Sequence, residues 1–299
     1  MDARLVFVGG LGRSGTTLLE RLLGELPGVV ALGEVTHLWE RGLLAGEPCG
    51  CRTAFRDCPF WSEVGKRAFG GWDRFDLRRH LALKRRVERT RRIPALAAGP
   101  GTGDVAAYAV PYLRLYHAAR EVSGCPVVVD SSKHAALAYC LRRAPGLRVL
   151  HMVRDPRGVA HSWAKRVARP EGDYMTRWTA ARSALNWTTQ NLAFEALART
   201  RVPRTLIRYE DLLAAPRDTL AGLAALLGVP ADLGFCGDDH AFLTTAHTAS
   251  GNPMRFVTGR VGLAPDDEWR LWLPARERKV VTALTLPLLI RYGYRPEHA

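Results

Sequence analysis

Residues 5–23 read LVFVGGLGRSGTTLLERLL: an apolar run, a glycine-rich turn, and a stretch of helical periodicity that opens on threonines. Gly10 and Gly15 have the separation found in loops that wrap a phosphate, where glycine backbone can approach the anion and the amides of the next helix point at it. The lysine that such loops direct at the β- and γ-phosphates of a triphosphate is replaced by Thr16. Arg13 offers instead a planar fork that matches a tetrahedral oxyanion. Gly12, Arg13, Ser14, Gly15, Thr16 and Thr17 are therefore read as a grip for an anion shorter than a triphosphate tail.

A second candidate grip lies in VLHMVRDPRGVAHSW at 149–163. A buried strand is predicted to end at Val153, which puts Arg154 at its carboxyl end, and the Asp-Pro-Arg turn starts a helix carrying Ser162. Ligands of open α/β sheets collect at such strand ends. Arg154 and Ser162 are read as holding a further phosphate. Two separated grips with no lysine for a γ-phosphate describe a nucleotide charged at both its 3′ and 5′ positions.

Together, GxGRSGTTLL and VRDPRGVAHS resemble the 5′-phosphosulfate and 3′-phosphate motifs of the PAPS-dependent sulfotransferases, including the eight-residue spacing of Arg154 and Ser162. IRYEDLL at 207–213 is similar to the YEDL segment of that family, which implies that Tyr209 lies near the adenine. The resemblance implies 3′-phosphoadenosine 5′-phosphosulfate (PAPS) as donor, the 3′,5′-bisphosphate PAP as product, and a hydroxyl of a small molecule, sugar or glycolipid as acceptor. It implies no metal, because the donor has no triphosphate tail.

Sulfuryl transfer needs in-line geometry, stabilisation of charge on the bridging oxygen, and a base for the acceptor hydroxyl. ALGEVTHLW at 31–39 resembles the GEET stretch of tyrosylprotein sulfotransferases and the post-helix glutamate of carbohydrate sulfotransferases, which implies Glu34 as the base. Val35 stands where GEET has its second acid, so His37 is an alternative. VVVDSSKHAALA at 127–138 adds Lys133, similar to the lysine the family uses on the bridging oxygen, and His134, placed like the catalytic histidine of cytosolic sulfotransferases. Asp130 is expected to cap the following helix or to orient Lys133. Arg255, in the polar, glycine-rich stretch 247–263, sits where cytosolic members close over the 3′-phosphate and is expected to bind donor. Trp39, Trp61, Trp72 and the basic helix near residue 85 can either line an acceptor pocket or belong to the core.

These side chains need a scaffold. Four apolar runs, Leu5 to Val8, Val127 to Val129, Val149 to Val153 and Thr205 to Tyr209, alternate with helical patterns. That order predicts an α/β fold with a mainly parallel central sheet flanked by helices, a three-layer sandwich like that of P-loop NTPases. Residues 1–299 are expected to form one domain, with 60–104 as a helical insertion on the acceptor side and GPGTGD at 99–104 as a flexible joint. A helix over Leu220 to Leu227 should stop at Gly228 and Pro230, and a final helix from Lys279 to Tyr292 should bend or end at Pro287.

The chain has 299 residues, 47% of them hydrophobic, enough for an ordinary core. Its net charge of +14 suits an anionic ligand, but 38 of the 43 basic residues are arginine, and that excess points to a GC-rich bacterial genome as readily as to a partner. No zinc-finger or recognition-helix pattern accompanies the charge, so nucleic acid is not expected to be the partner. A kinase or NTPase with a degenerate phosphate loop and a basic nucleic-acid binder are the alternatives to a sulfotransferase. With no long apolar run and no charged leader, the expected location is the cytoplasm. Cys49, Cys51 and Cys58 lie close together, but no fourth ligand and no paired CxxC accompany them in the sequence, so packed or reduced thiols are favoured over zinc or a disulfide.

Overall fold

The structure, a computed structural model, describes residues 4–167, 174 and 176–296. Its centre is a five-stranded sheet in the order β2-β3-β1-β4-β5. The strands are β1 (Arg4–Gly9), β2 (Val29–Ala31), β3 (Val127–Lys133), β4 (Leu147–Val153) and β5 (Arg204–Arg208), and every pairing is parallel. Alternation along β1 explains the layering. Leu5 and Phe7 face a core shared with helices Pro59–Phe69, Asp104–Ser123 and Ala135–Leu141, while Val6 and Val8 face one shared with α1 (Thr16–Gly24) and helix Pro216–Leu227. A strand buried on both faces reads as a near-continuous apolar run, as this one does.

Three differences from the sequence reading have local causes. β2 is only three residues long and bonds to β3 alone, too short to show a period. β6 (His240–Leu243) and β7 (Gly259–Gly262) pair antiparallel across a loop of fifteen residues, too long for the strands to read as a hairpin in the sequence. The last helix runs from Ala275 to Arg291 straight through Pro287, which removes a single amide donor one turn from the helix end. Residues 60–104 contain helices Pro59–Phe69, Leu77–Val87 and Ile93–Ala98. Among the described residues no helix is long and apolar enough to cross a membrane.

Sheet order is what assembles the site. β1 lies between β3 and β4, so the segments that leave their carboxyl ends are neighbours: the turn after Gly9, the end of β3 at Lys133, and Arg154 after β4. This is the crevice in which open parallel sheets bind ligands.

Candidate active site

The turn between β1 and α1 wraps one end of a cavity of about 800 Å³ lined by Gly10, Gly12, Arg13, Gly15, Thr16 and Thr17. Gly15 caps α1 with φ 88°, and a Cβ there would stand 2.5 Å from the Tyr209 ring. Only glycine adopts that backbone so close to an aromatic wall. Arg13 is also left-handed (φ 76°), which turns its side chain toward Trp163, 5.3 Å from guanidinium carbon to ring centre. Trp163 Nε1 donates to Gly12 O (3.0 Å), and its ring stacks on Trp178 at 3.7 Å and 7°. Ser14 lies beneath the turn instead: it is buried, and its amide donates to Leu11 O (3.2 Å).

Arg154 and Ser162 line the same cavity. Asp155 starts the helix Pro156–Ala164 by accepting from the Arg157 amide (2.8 Å), with Pro156 in its first turn, and this fixes the exit of the chain from β4. Arg154 is 5% exposed and held on three sides. It donates to Arg13 O (3.3 Å) and to Asp266 O (2.8 Å), meets the Asp266 carboxylate at 3.1 Å, and covers the Tyr209 ring at 4.6 Å. The two sequence-predicted anion grips are therefore bonded to one another, and Tyr209 lies between them.

On the other side of the cavity, the chain leaving β2 passes through Gly33 to Glu34, whose amide donates to Ala249 O (2.9 Å). The Glu34 carboxylate accepts from Lys133 Nζ and lies 3.6 Å from His37 Nε2. Burial alone would raise its pKa, yet the Lys133 ammonium bonded to it holds it down at about 2. Burial pushes His37 well below the usual imidazole range, against the pull of Glu34, so the ring is neutral at pH 7. His134 follows Lys133, and its ring centre is 6.1 Å from that of His37. Glu34, His37, Lys133 and His134 all line the cavity, together with Arg41 and Arg182. Among the described residues, five guanidinium or ammonium groups thus line the cavity with the carboxylates of Glu34 and Asp266, a balance suited to a multiply charged anion.

Two buried carboxylates support this wall. Glu20 on α1 accepts from Ser131 Oγ (2.7 Å) and from the Gly33 amide, tying β3 to the turn that presents Glu34. Burial pushes Glu20 up to about 7 against those bonds. A carboxyl whose folded pKa exceeds its unfolded value favours the fold fully below about pH 4.5, and that contribution is lost as pH rises to about 7. We expect Glu20→Gln to gain about 2–3 kcal/mol relative to the native chain between pH 5 and pH 8. Urea midpoints of both proteins at the two pH values measure this, and parallel pH dependence would refute it. Asp130 neither caps a helix nor meets Lys133. It is buried within β3 and accepts from the Ser132 amide (2.7 Å), the Ser132 hydroxyl and Tyr116, because the strand continues to Lys133 and turns the Asp130 side chain inward.

Other candidates lie elsewhere. Arg255 is buried outside the cavity wall, where it donates to Pro48 O (2.8 Å) and Thr248 O (3.2 Å) and so braces a loop instead of facing the cavity. Trp39, Trp61 and Trp72 belong to the main core. The basic helix Leu77–Val87 supports the Glu34 segment from behind, through Lys84 Nζ donating to Thr36 O (2.6 Å). Sequence reasoning missed Trp163, Trp178, Arg41, Arg182 and Asp266. Trp163 adjoins Ser162 within the motif, but nothing in the spacing places the other four at this cavity.

Residues 6–232 match the family described as "Sulfotransferase family". Among solved structures, the chain is similar to the sulfotransferase domain of the olefin synthase of Synechococcus PCC 7002, with 22% identity, 96% of this chain and 95% of that one covered, and a TM-score of 0.51. It is also similar to sulfotransferase STF9 from Mycobacterium avium, with 14% identity, 100% and 79% covered, and a TM-score of 0.50. At these identities the likeness concerns the fold. No curated protein matches the chain.

Proposed function

The chain belongs to the sulfotransferase family, and we propose that it moves the sulfuryl group of PAPS to a hydroxyl of a small-molecule or carbohydrate acceptor. One observation carries this reading: Arg13 with its turn, and Arg154 with Ser162, open into the cavity that also holds Glu34 and Lys133. The turn has Thr16 where a triphosphate-binding loop has lysine, which favours a donor without a γ-phosphate.

In this reading the Arg13 turn holds the 5′-phosphosulfate, Arg154 and Ser162 hold the 3′-phosphate, and Tyr209 borders the adenine. Glu34 takes the acceptor proton as the acceptor oxygen forms its bond to sulfur. The sulfur–oxygen bond to the 5′-phosphate breaks in line, and Lys133 neutralises the oxygen that leaves. Glu34 at about 2 is a weak base while Lys133 is paired with it. A donor anion that draws the Lys133 ammonium to itself removes the charge that depresses Glu34, and so raises its basicity when a base is needed. His37 and His134 stand close enough to substitute. Residues 60–104 would form the acceptor side, where Thr90 reaches the cavity. In this reading the chain works in the cytoplasm, whose reducing conditions would keep its cysteines as thiols.

Thermal shift with PAP and with ATP-Mg tests the assignment. PAP should stabilise the protein in the absence of any divalent ion, and ATP-Mg should not. The reverse result would favour a phosphate-loop kinase. Stabilisation by neither, with salt-sensitive binding of nucleic acid, would favour a basic binder. Labelled donor with a panel of hydroxyl acceptors then identifies the substrate.

A further inference from the structure

Away from the cavity mouth, four side chains that can ligate a metal converge from distant parts of the chain. Cys49 and Cys51 lie on a tight turn, Cys58 precedes helix Pro59–Phe69, and His247 comes from the loop after β6. Their ligand atoms all lie within 4.8 Å of one another. Four of the six edges are 3.6 Å for Cys58 to Cys49 sulfur, 3.7 Å for Cys51 to Cys58, and 3.3 and 3.8 Å from His247 Nδ1 to the sulfurs of Cys58 and Cys49. A tetrahedral zinc with bonds of about 2.3 Å to sulfur and about 2.0–2.1 Å to nitrogen requires edges of about 3.8 Å between sulfurs and about 3.5 Å from sulfur to nitrogen. These four edges fall around those values, and the other two, Cys49 to Cys51 and Cys51 to His247, are no longer than 4.8 Å. His247, nearly two hundred residues further along the chain, is the fourth ligand that the cysteine spacing lacks.

We propose that Cys49, Cys51, Cys58 and His247 form a structural zinc site. Four protein ligands close the coordination sphere and leave no open position for chemistry. The surroundings are built to hold the ligands: the His247 ring stacks on Phe60 (5.3 Å, 13°), Cys49 N donates to Thr53 O (2.8 Å), and Gly50 N donates to Thr248 O (2.9 Å). A Cβ on Gly50 would come within 2.5 Å of Ala246 O, so the cysteine turn and the histidine loop lie in direct backbone contact. The same loop continues to Ala249, whose carbonyl holds the Glu34 amide, and to Gly251, which packs on the Glu34 carboxylate. The metal therefore pins the loop behind the Glu34 wall to the segment carrying the cysteines. The site stands on its own geometry and does not depend on the sulfotransferase reading.

Metal analysis of the full chain, purified under reducing conditions and passed through a mild chelator, should find about one zinc per chain. Cobalt exchanged into the protein should show the intense visible bands of tetrahedral coordination and a thiolate charge-transfer band. His247→Cys should retain the metal, whereas His247→Ala and Cys51→Ser should speed its release to a strong chelator by about tenfold or more. Three results would overturn the proposal: reduced protein that neither retains zinc nor gives the tetrahedral cobalt spectrum, zinc whose release is unaffected by both of those variants, or a disulfide among the three cysteines in freshly lysed, alkylated protein. The metal content and cobalt spectrum of the native chain decide the matter even if a variant fails to fold.

Discussion

Glu34→Gln is expected to lower turnover by about 10²–10⁴-fold, the range for loss of a general base, while leaving PAP binding within about twofold of the native protein. Glutamine keeps the shape of the side chain, and the Glu34 amide still reaches Ala249 O, so the wall should persist. What disappears is the anionic oxygen that accepts from Lys133 and that, in the proposed mechanism, takes the acceptor's proton. Turnover with labelled donor, together with PAP titration by calorimetry, separates the two effects. Native turnover in this variant would move the role of base to His37, which is neutral and faces the same carboxylate, or to His134. A parallel loss of PAP affinity would mean that Glu34 is structural.

Arg154→Ala should weaken PAP binding by at least about 100-fold, corresponding to about 3 kcal/mol for lost charge-assisted hydrogen bonds to a phosphate. The effect should exceed that of removing an exposed arginine for two reasons. Arg154 is nearly buried, and it holds the Arg13 carbonyl, the Tyr209 face and Asp266 together. Without it the Asp266 carboxylate loses its nearer cation, at 3.1 Å, and keeps only Lys165 at 4.0 Å, so its repulsion of the donor grows. Arg154→Lys keeps the charge but not the planar fork, and should fall between the two. Calorimetry with PAP measures all three proteins, with circular dichroism to verify folding. Affinity within about threefold of native for Arg154→Ala would remove the two-ended grip from which the donor was inferred.

Much of this site was legible in the sequence because its logic is local. A buried strand followed by glycines, Arg13 and paired threonines is a backbone geometry determined within a dozen residues, and the same holds for the strand end, Asp-Pro turn and helix that carry Arg154 and Ser162. Strand and helix alternation was enough to predict a parallel sheet, since strands buried on both faces read as near-continuous apolar runs. Lys133 and Glu34 were legible as well, but as separate candidates.

Their pairing was decided by tertiary structure. Only the placement of β3 between β2 and β1 brings the Lys133 ammonium onto Glu34 and lowers its pKa, and only packing converts Arg255 from an expected ligand contact into a brace for a loop. The same holds for Glu20 beneath Gly33, for Asp266 against Arg154, and for His247 beside three cysteines. Each depends on residues distant along the chain meeting in space. One-dimensional spacing records which side chains share a turn or a helix face; the order of strands and the path of loops determine which charges become neighbours, and it is those neighbours that set basicity, anion affinity and metal coordination.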